Sequence, residues 1–569
     1  MRGTPDPGRV HDSSRHSLRG RRSGACLLLL SLLLPAWCGR SSPEAAAPPV
    51  ASPGIPLYDN LGSHHHPITT TVPSAQRYFD QGLRLVFAFN HEEAVASFEE
   101  AGRLDPETAM AFWGIALALG PNINAPMSAG QERRAYEAVR KARTLSSNVS
   151  LREQAYIDAL ATRYSPGPGS RREALDAGYA DAMRMLSKRF PDDVDAATLF
   201  AEALMDKQPW DYWTPDGRPK GAAEEIVSTL ERVLQRQPDH PGGCHYYIHA
   251  VEASAQPERA LACADRLPGL MPGAGHLVHM PAHIYLRLGR YHEAAERNVH
   301  AATVDHDYLA HRKLTGAYPK GYYPHNVHFL WSALTMEGRS KEAIQAAQDL
   351  STLVSWEDAR KEPFLEEFTP TLLFALARFG RWEELLTISQ PPPELSYTTA
   401  VRHYARGLAF AATNRMDRAV QEHRKLAGLA RTMPGDRVIG HNRVADLAKI
   451  AERVLAGEIA ARQKRFEDAL RDLKEATRLE DRLRYYEPPL WHYPVRHSLG
   501  AVLLAAGRAA EAEQAYREDL MQHPENGWAL YGLEQSLRAQ NKSEEAAVVE
   551  ERFRKAWARA DATLTASRF

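Results

Sequence analysis

Three short stretches between residues 240 and 330 carry side chains at spacings that suit metal chemistry. The run Cys244-His245-Tyr246-Tyr247-Ile248-His249-Ala250-Val251-Glu252 sets two imidazoles four apart and a carboxylate three further on. On a helix all three share a face. One helix can thus bring two imidazoles to one ion, with the carboxylate as a third ligand or as a hydrogen-bond partner of the ligands. His276, His279 and His283 are spaced three and four, and they share a face only if the helix runs through Pro281. Proline removes a backbone bond and disfavours helix at Met280, so the helix either starts near Pro281 or kinks there. His325 and His328 follow Pro324, which suits the first position of a helix. The positive end of the helix dipole favours the neutral imidazole there, the form that binds metal.

The candidate metal ligands are therefore His245, His249, Glu252, His276, His279, His283, His325 and His328, with Tyr247, Tyr285, Tyr323 and Asp211 around them. Imidazole with carboxylate suits zinc, iron, copper or nickel. An open coordination position would make the centre catalytic; a closed one would make it structural or a metal carrier. Two other readings stand beside a metal: a buried polar network, or a metal-free ligand or peptide site. The stretch 240–330 holds 12 of the chain's 24 histidines, so pairs at helical spacing also arise by chance. His292, His300, His306 and His311 fit an ordinary, partly solvated repeat helix. His292-Glu293-Ala294-Ala295-Glu296 misses the H-E-x-x-H metalloprotease motif at its last residue. No Walker loop, G-x-S-x-G or G-x-G-x-x-G occurs.

The elements that must position these residues are helical. Tyr78, Phe79, Leu83, Val86 and Phe87 recur at spacings of three and four, which marks an apolar helix face. Ala94 and Phe98 follow, then Pro106, then Met110, Trp113 and Gly114, in the order of a tetratricopeptide repeat. The same unit returns at Pro524, Trp528, Tyr531 and Gly532. Seven short basic turns line up between these ends: Gly289-Arg290, Gly338-Arg339, Gly380-Arg381, Asn414-Arg415, Lys464-Arg465, Gly507-Arg508 and Asn541-Lys542, with a related turn at Asn90. Gaps between the basic residues are 49, 42, 34, 50, 43 and 34; two equal the 34-residue repeat and the rest imply longer helices or inserted loops. Glycine or asparagine there suits the left-handed residue of a tight turn between helices. Lone repeats cannot bury their apolar faces, so they stack. The expected fold is an all-α solenoid of antiparallel helix pairs with no strands. Three interruptions exceed what a turn requires: Gly120–Pro126, Trp210–Trp213 and Tyr485–Pro494.

Charge is balanced, 70 basic against 71 acidic residues, which gives no pull toward nucleic acid or anionic membrane. Arg19, Arg21 and Arg22 precede an apolar run from Ala25 to Trp37. That run is too short to span a bilayer, which takes about 20 residues, but it suits an export signal. Cys38, before a Ser/Pro/Ala-rich tether, is a candidate lipid anchor. Only Cys244 and Cys263 remain beyond the leader, enough for one disulfide in an oxidising compartment. No later apolar run is long enough to span a membrane.

The segments from Ala75 to Asn124, His245 to Glu252, Gly275 to Tyr291 and Tyr323 to Leu330, with Glu487-Pro488-Pro489, resemble a family of exported bacterial tetratricopeptide-repeat proteins. The resemblance covers about residues 58–569. It implies the fold and export to the periplasm or cell envelope, and it implies no activity.

The expected layout is a signal peptide over 1–38, a flexible linker and histidine arm over 39–73, helices over 74–239, the histidine-rich segment over 240–330 and a repeat array over 331–569. His64-His65-His66 in the arm reads as a solvated linker or as a metal-ligating arm. The expected function is a protein- or peptide-binding scaffold with a metal site. Inward polar residues such as Asn298, Asn326 and Arg287 would hold a partner on the concave face. The alternative is a metal-dependent enzyme or a metal carrier.

Overall fold

One aromatic side chain sets the packing of each end of the array. Phe98 lies over Gly82 and Gly114, where an added Cβ would come within 2.6 and 2.5 Å of its ring. At the other end Tyr516 lies over Gly500 and Gly532, with Cβ approaches of 2.3 and 2.1 Å. In both, the aromatic residue follows an alanine four residues earlier on the second helix of a pair. It is clamped between the first helix of its own pair and that of the next. This is the tetratricopeptide packing expected from Ala94, Phe98 and Gly114, built on the helices Pro73–Phe87, His91–Leu104 and Ala109–Ala118.

The computed structural model describes residues 55–167, 172–312, 314, 316–492 and 494–569. The expected leader, Cys38 and the tether before residue 55 lie outside the described residues. All seven aligned turns have their first residue in the left-handed region, from φ 58° at Asn414 to 75° at Gly507, and Phe89 joins them at 57°. Each closes with the backbone bond of a left-handed helix cap, such as Arg290 N–H to the Tyr285 carbonyl at 2.8 Å. The described residues form one compact unit, and among them no helix is long and apolar enough to cross a membrane.

Two features depart from expectation, and a third, the state of the two cysteines, was open. Residues 55–72, expected within the flexible linker, are packed: Leu61 and His66 are buried, and Gln81 grips the strap by accepting from Tyr58 N–H and donating to the Pro56 carbonyl. A two-residue hairpin, Val438–Ile439 with Asn442–Arg443, interrupts the helices; Gly440 at φ 53° turns it. Cys244 and Cys263 are both buried free thiols.

The array also winds back on itself. Trp528 Nε1 donates to the Thr335 carbonyl at 2.9 Å, and Asp561 accepts from the backbone of Ser340 and Lys341. Asn90 donates to the Tyr308 hydroxyl. Each joins segments about 200 residues apart.

The aromatic clamp is testable by denaturant unfolding. Gly114→Leu drives a side chain into Phe98 and costs at least about 1–3 kcal/mol. Gly178, within the Arg172–Arg189 helix, has nothing within 4 Å of its added Cβ, so Gly178→Ala gains about 0.5–1 kcal/mol. Equal effects of the two substitutions would refute the clamp.

Candidate metal centre

The Pro241–Val251 helix carries His245 and His249, and Glu252 caps it. Gly242 lets it approach the preceding helices closely, since a Cβ there would come within 2.5 Å of Phe87. The segments Gly275–His279 and Pro281–Arg287 are joined by Met280 in right-handed helical geometry. The helix is thus kinked at Pro281 rather than started there, and His276, His279 and His283 keep one face. Pro324 opens the Tyr323–Met336 helix, with His325 in its first turn.

Together these elements gather two imidazole triplets, His245/His249/His276 and His279/His283/His325, the ligand atoms of each within 4.8 Å of one another, all buried except the partly exposed His325. The hydrogen bonds at Nδ1 fix the proton positions. His245 Nδ1 lies 2.6 Å from the Phe87 carbonyl, which can only accept, so Nδ1 carries the proton. His249 Nδ1 and His283 Nδ1 donate to the two oxygens of Glu252, at 2.8 and 2.6 Å. His279 Nδ1 donates to Asn298 Oδ1 at 2.7 Å, and Asn298 is oriented by its own donation to the Ala294 carbonyl. Each of these four imidazoles, when neutral, therefore turns an Nε2 lone pair inward. His245 Nε2 faces His276 Nε2 at 3.1 Å and His279 Nε2 faces His283 Nε2 at 2.9 Å. His249 Nε2 and His276 Nδ1 are buried without a partner.

Burial, reinforced by neighbouring imidazoles, pushes His245, His276, His279 and His325 well below the ordinary histidine range. Burial also lowers His249, against the pull of Glu252. His283 goes the other way, because the charge and hydrogen bond of Glu252 outweigh its burial. Burial alone would raise Glu252, but His283 and His249 hold it well below the ordinary carboxylate range.

The three interruptions converge on this centre. Asn124 donates to the Tyr322 hydroxyl and accepts from Trp210 Nε1. Trp210, strained at φ 61°, sets its ring 4.9 Å from His249, and Tyr322 lies 4.9 Å from His276. Tyr485 donates to Glu252 at 3.1 Å. Glu487 lies 3.7 Å from His283, and burial with the charge of Glu252 pushes its carboxyl up to about 8. Phe89 and Phe329 wall the imidazoles at 4.4–4.8 Å. Nothing local marked Tyr485, Glu487 or Trp210 as neighbours of the histidines; only the excess detail of their loops did.

Other candidate residues lie elsewhere. His328 stacks on Trp331 and packs against Phe368, and it belongs to neither triplet. Tyr247 and Tyr285, each two residues past a histidine and so about 200° around the helix, donate to Glu231 and Asp265. Asp211 pairs with Lys220 and Arg484 at the surface. Tyr323 is half-buried at its helix start. Asn326 donates to Asp305, which accepts from Tyr318, one bond removed from the His276 backbone.

The histidine arm forms a second group around Asp195. His64 Nε2 and His240 Nε2 lie 2.9 and 3.0 Å from one oxygen, and His66 Nδ1 lies 2.7 Å from the other. His240 Nδ1 accepts from Gly243 N–H, so its Nε2 carries the proton and donates. The tautomer is opposite to that of the central histidines: His240 turns an N–H, not a lone pair, toward the group. This is a carboxylate hub that pins the strap of residues 55–72.

No family model matches the chain, and no curated protein does. Solved structures similar to it include a human IFIT1 dimer with m7Gppp-AAAA, at 13% identity over 86% of this chain and 91% of that one, TM-score 0.33. Yeast Tom70 is 12% identical over 85% and 91%, TM-score 0.29. The APC/C hetero-tetramer Cut9–Hcn1 is 13% identical over 85% and 76%, TM-score 0.32. At that level nothing about ligand or partner carries across, and the fold class rests on this chain's own helices and turns. Fold and site together define a tetratricopeptide-like helical-repeat protein with a buried imidazole centre.

The hub predicts a pH-dependent strap. Burial raises Asp195, but its three imidazole partners hold it well below the ordinary range; its stabilisation is therefore present above about pH 3.9 and lost as pH falls through the lower folded value. Burial lowers His66, but Asp195 raises it further; that stabilisation is present below about pH 6.5 and lost as pH rises through the raised value. Asp195→Asn should cost about 3 kcal/mol, most between about pH 4 and 6.5. It should expose residues 55–72 to limited proteolysis without changing metal content. A pH-independent cost would refute the charged hub.

Proposed function

We propose that this is an exported helical-repeat protein whose buried imidazole centre binds a transition metal. The observation that carries the reading is the set of four histidines with Nδ1 given to acceptors and Nε2 turned inward. When both rings are neutral, His279 Nε2 and His283 Nε2 face each other as lone pairs at 2.9 Å and repel unless a proton or a metal ion lies between them. Imidazoles on a tetrahedral ion, at about 2.0–2.1 Å from it, have nitrogens about 3.3 Å apart. Outer acceptors that fix each ring and raise its basicity are what metal-ligating histidines use. Zinc, copper and iron all suit imidazole. Three protein ligands leave a coordination position for water or substrate, and this favours a catalytic or carrier site over a closed structural one. Glu252, with both oxygens taken by His249 and His283, acts as their anchor rather than as a ligand.

Export rests on the arginines and apolar run of residues 19–37, and lipidation at Cys38 is its membrane-bound form; mass spectrometry of the mature N-terminus from the cell envelope tests both. A protein or peptide partner is a second reading. It is supported by a charged cleft of about 780 Å³ among Met433, Asp446, Arg453 and Arg478, remote in sequence from the histidines, so binding there should survive their loss.

Metal content of untagged protein, by inductively coupled plasma mass spectrometry, tests the centre. At least about one ion per chain is expected, lost in a His249→Ala/His283→Ala double variant. No metal in the wild type after reloading with zinc, copper and iron would sink the reading. Glu252→Gln offers one acceptor where two Nδ1–H groups need one, and should weaken affinity about 10–100-fold.

A further inference from the structure

We infer that the centre holds two metal ions side by side, three histidines to each; this rests on the metal reading above. The six imidazoles do not form one ligand set. The sets whose ligand atoms lie within 4.8 Å of one another are His245/His249/His276 and His279/His283/His325, and the set that crosses between them runs through Glu252.

The two triplets are built alike. Each has a pair four residues apart on one helix, His245 with His249 and His279 with His283. Each pair has both Nδ1 atoms tied to acceptors, and each is completed by a third histidine. In both pairs the second histidine hangs on Glu252, His249 on one oxygen and His283 on the other. One carboxylate group therefore separates the triplets. Ring centroids across the divide, 5.2 Å for His249–His283 and 5.8 Å for His276–His279, are as short as those within a triplet, 4.8–6.2 Å.

An ion in each triplet would keep an open position, with Phe89 and Tyr322 against the rings of one triplet and Phe329 against those of the other. Two-metal sites with ions about 3.5–4 Å apart hold one small oxygen ligand between them. The ligand class is then a bridging hydroxide or another small oxygen donor, not a large substrate inside the centre. The role of Glu252 is to keep His249 and His283 in the tautomer that serves two ions at once.

The test uses the full chain loaded with copper(II), washed with chelator to strip exposed histidines, and read by metal content and electron paramagnetic resonance. Two coppers per chain are expected, with a signal well below that of two isolated ions because the pair couples. The half-site variants His245→Gln/His249→Gln and His279→Gln/His283→Gln keep an amide donor; circular dichroism checks that they fold. Each should retain one copper with a full mononuclear signal. One copper in the wild type, lost in both half-site variants, overturns the pair but leaves the metal reading intact. Two coppers with full, uncoupled intensity overturn their adjacency. No copper, and no zinc or iron on reloading, overturns the metal reading itself. If the double variants misfold, the single variants His276→Gln and His325→Gln decide, each weakening only one of the two coppers.

Discussion

A single buried carboxylate, Glu252, holds this structure's interior in register. Burying an unpaired carboxylate costs several kcal/mol. Here both oxygens receive imidazole N–H groups, and one also receives the Tyr485 hydroxyl. Those donors come from three separate places: the end of its own helix, the kinked 275–287 helix and the 485–489 loop. Any of them could be lost from a solenoid without unfolding its neighbours. Because all three converge on one desolvated charge, they must be placed together or not at all.

That convergence changes what the solenoid is for. Repeat arrays ordinarily touch only their neighbours and leave an open concave face. In this chain the N-terminal strap crosses to Asp195 and His240, Trp528 reaches back to Thr335, and the 485–489 loop closes over the histidines. The interior that would hold an extended peptide is taken up by the chain's own loops and imidazoles. Polar residues that looked like peptide clamps, Asn298 and Asn326, are spent on His279 and Asp305.

The repeats were legible in the sequence because their signals are local. The helical period, the order Ala94, Phe98 and Gly114, and the left-handed turn residues all act within one helix pair and the start of the next. The pairs His245/His249 and His279/His283 were legible for the same reason. What was not legible depends on contacts far apart in the chain. The Phe87 carbonyl sets the tautomer of His245 from over 150 residues away, and Glu487 reaches His283 across some 200. His328 shares its spacing with His325 yet turns to Trp331, because spacing gives a face and only packing says what the face meets. The strap looks like linker in sequence; its order comes from Gln81 and Glu93 on the next helices, which accept from the Tyr58 N–H and hydroxyl, and from Asp195, 129 residues beyond His66.

The two histidine groups make the sharper point. Residue type and density do not separate the central cluster from the Asp195 hub, since each gathers imidazoles around a carboxylate in a dry interior. The difference lies in which nitrogen is spent. At the hub, His240 accepts a backbone N–H at Nδ1, so its Nε2 proton goes to the carboxylate and that ring keeps no lone pair for an ion, whereas His66, with Nδ1 on Asp195, keeps an unpartnered Nε2. In the centre, His245, His249, His279 and His283 donate from Nδ1, and the nitrogen left over is the one that turns inward toward the other imidazoles. A backbone amide against one ring nitrogen leaves no lone pair turned inward, and a carbonyl or carboxylate in the same place leaves one. The choice is made by helix ends and carbonyls around the ring rather than by the histidine itself.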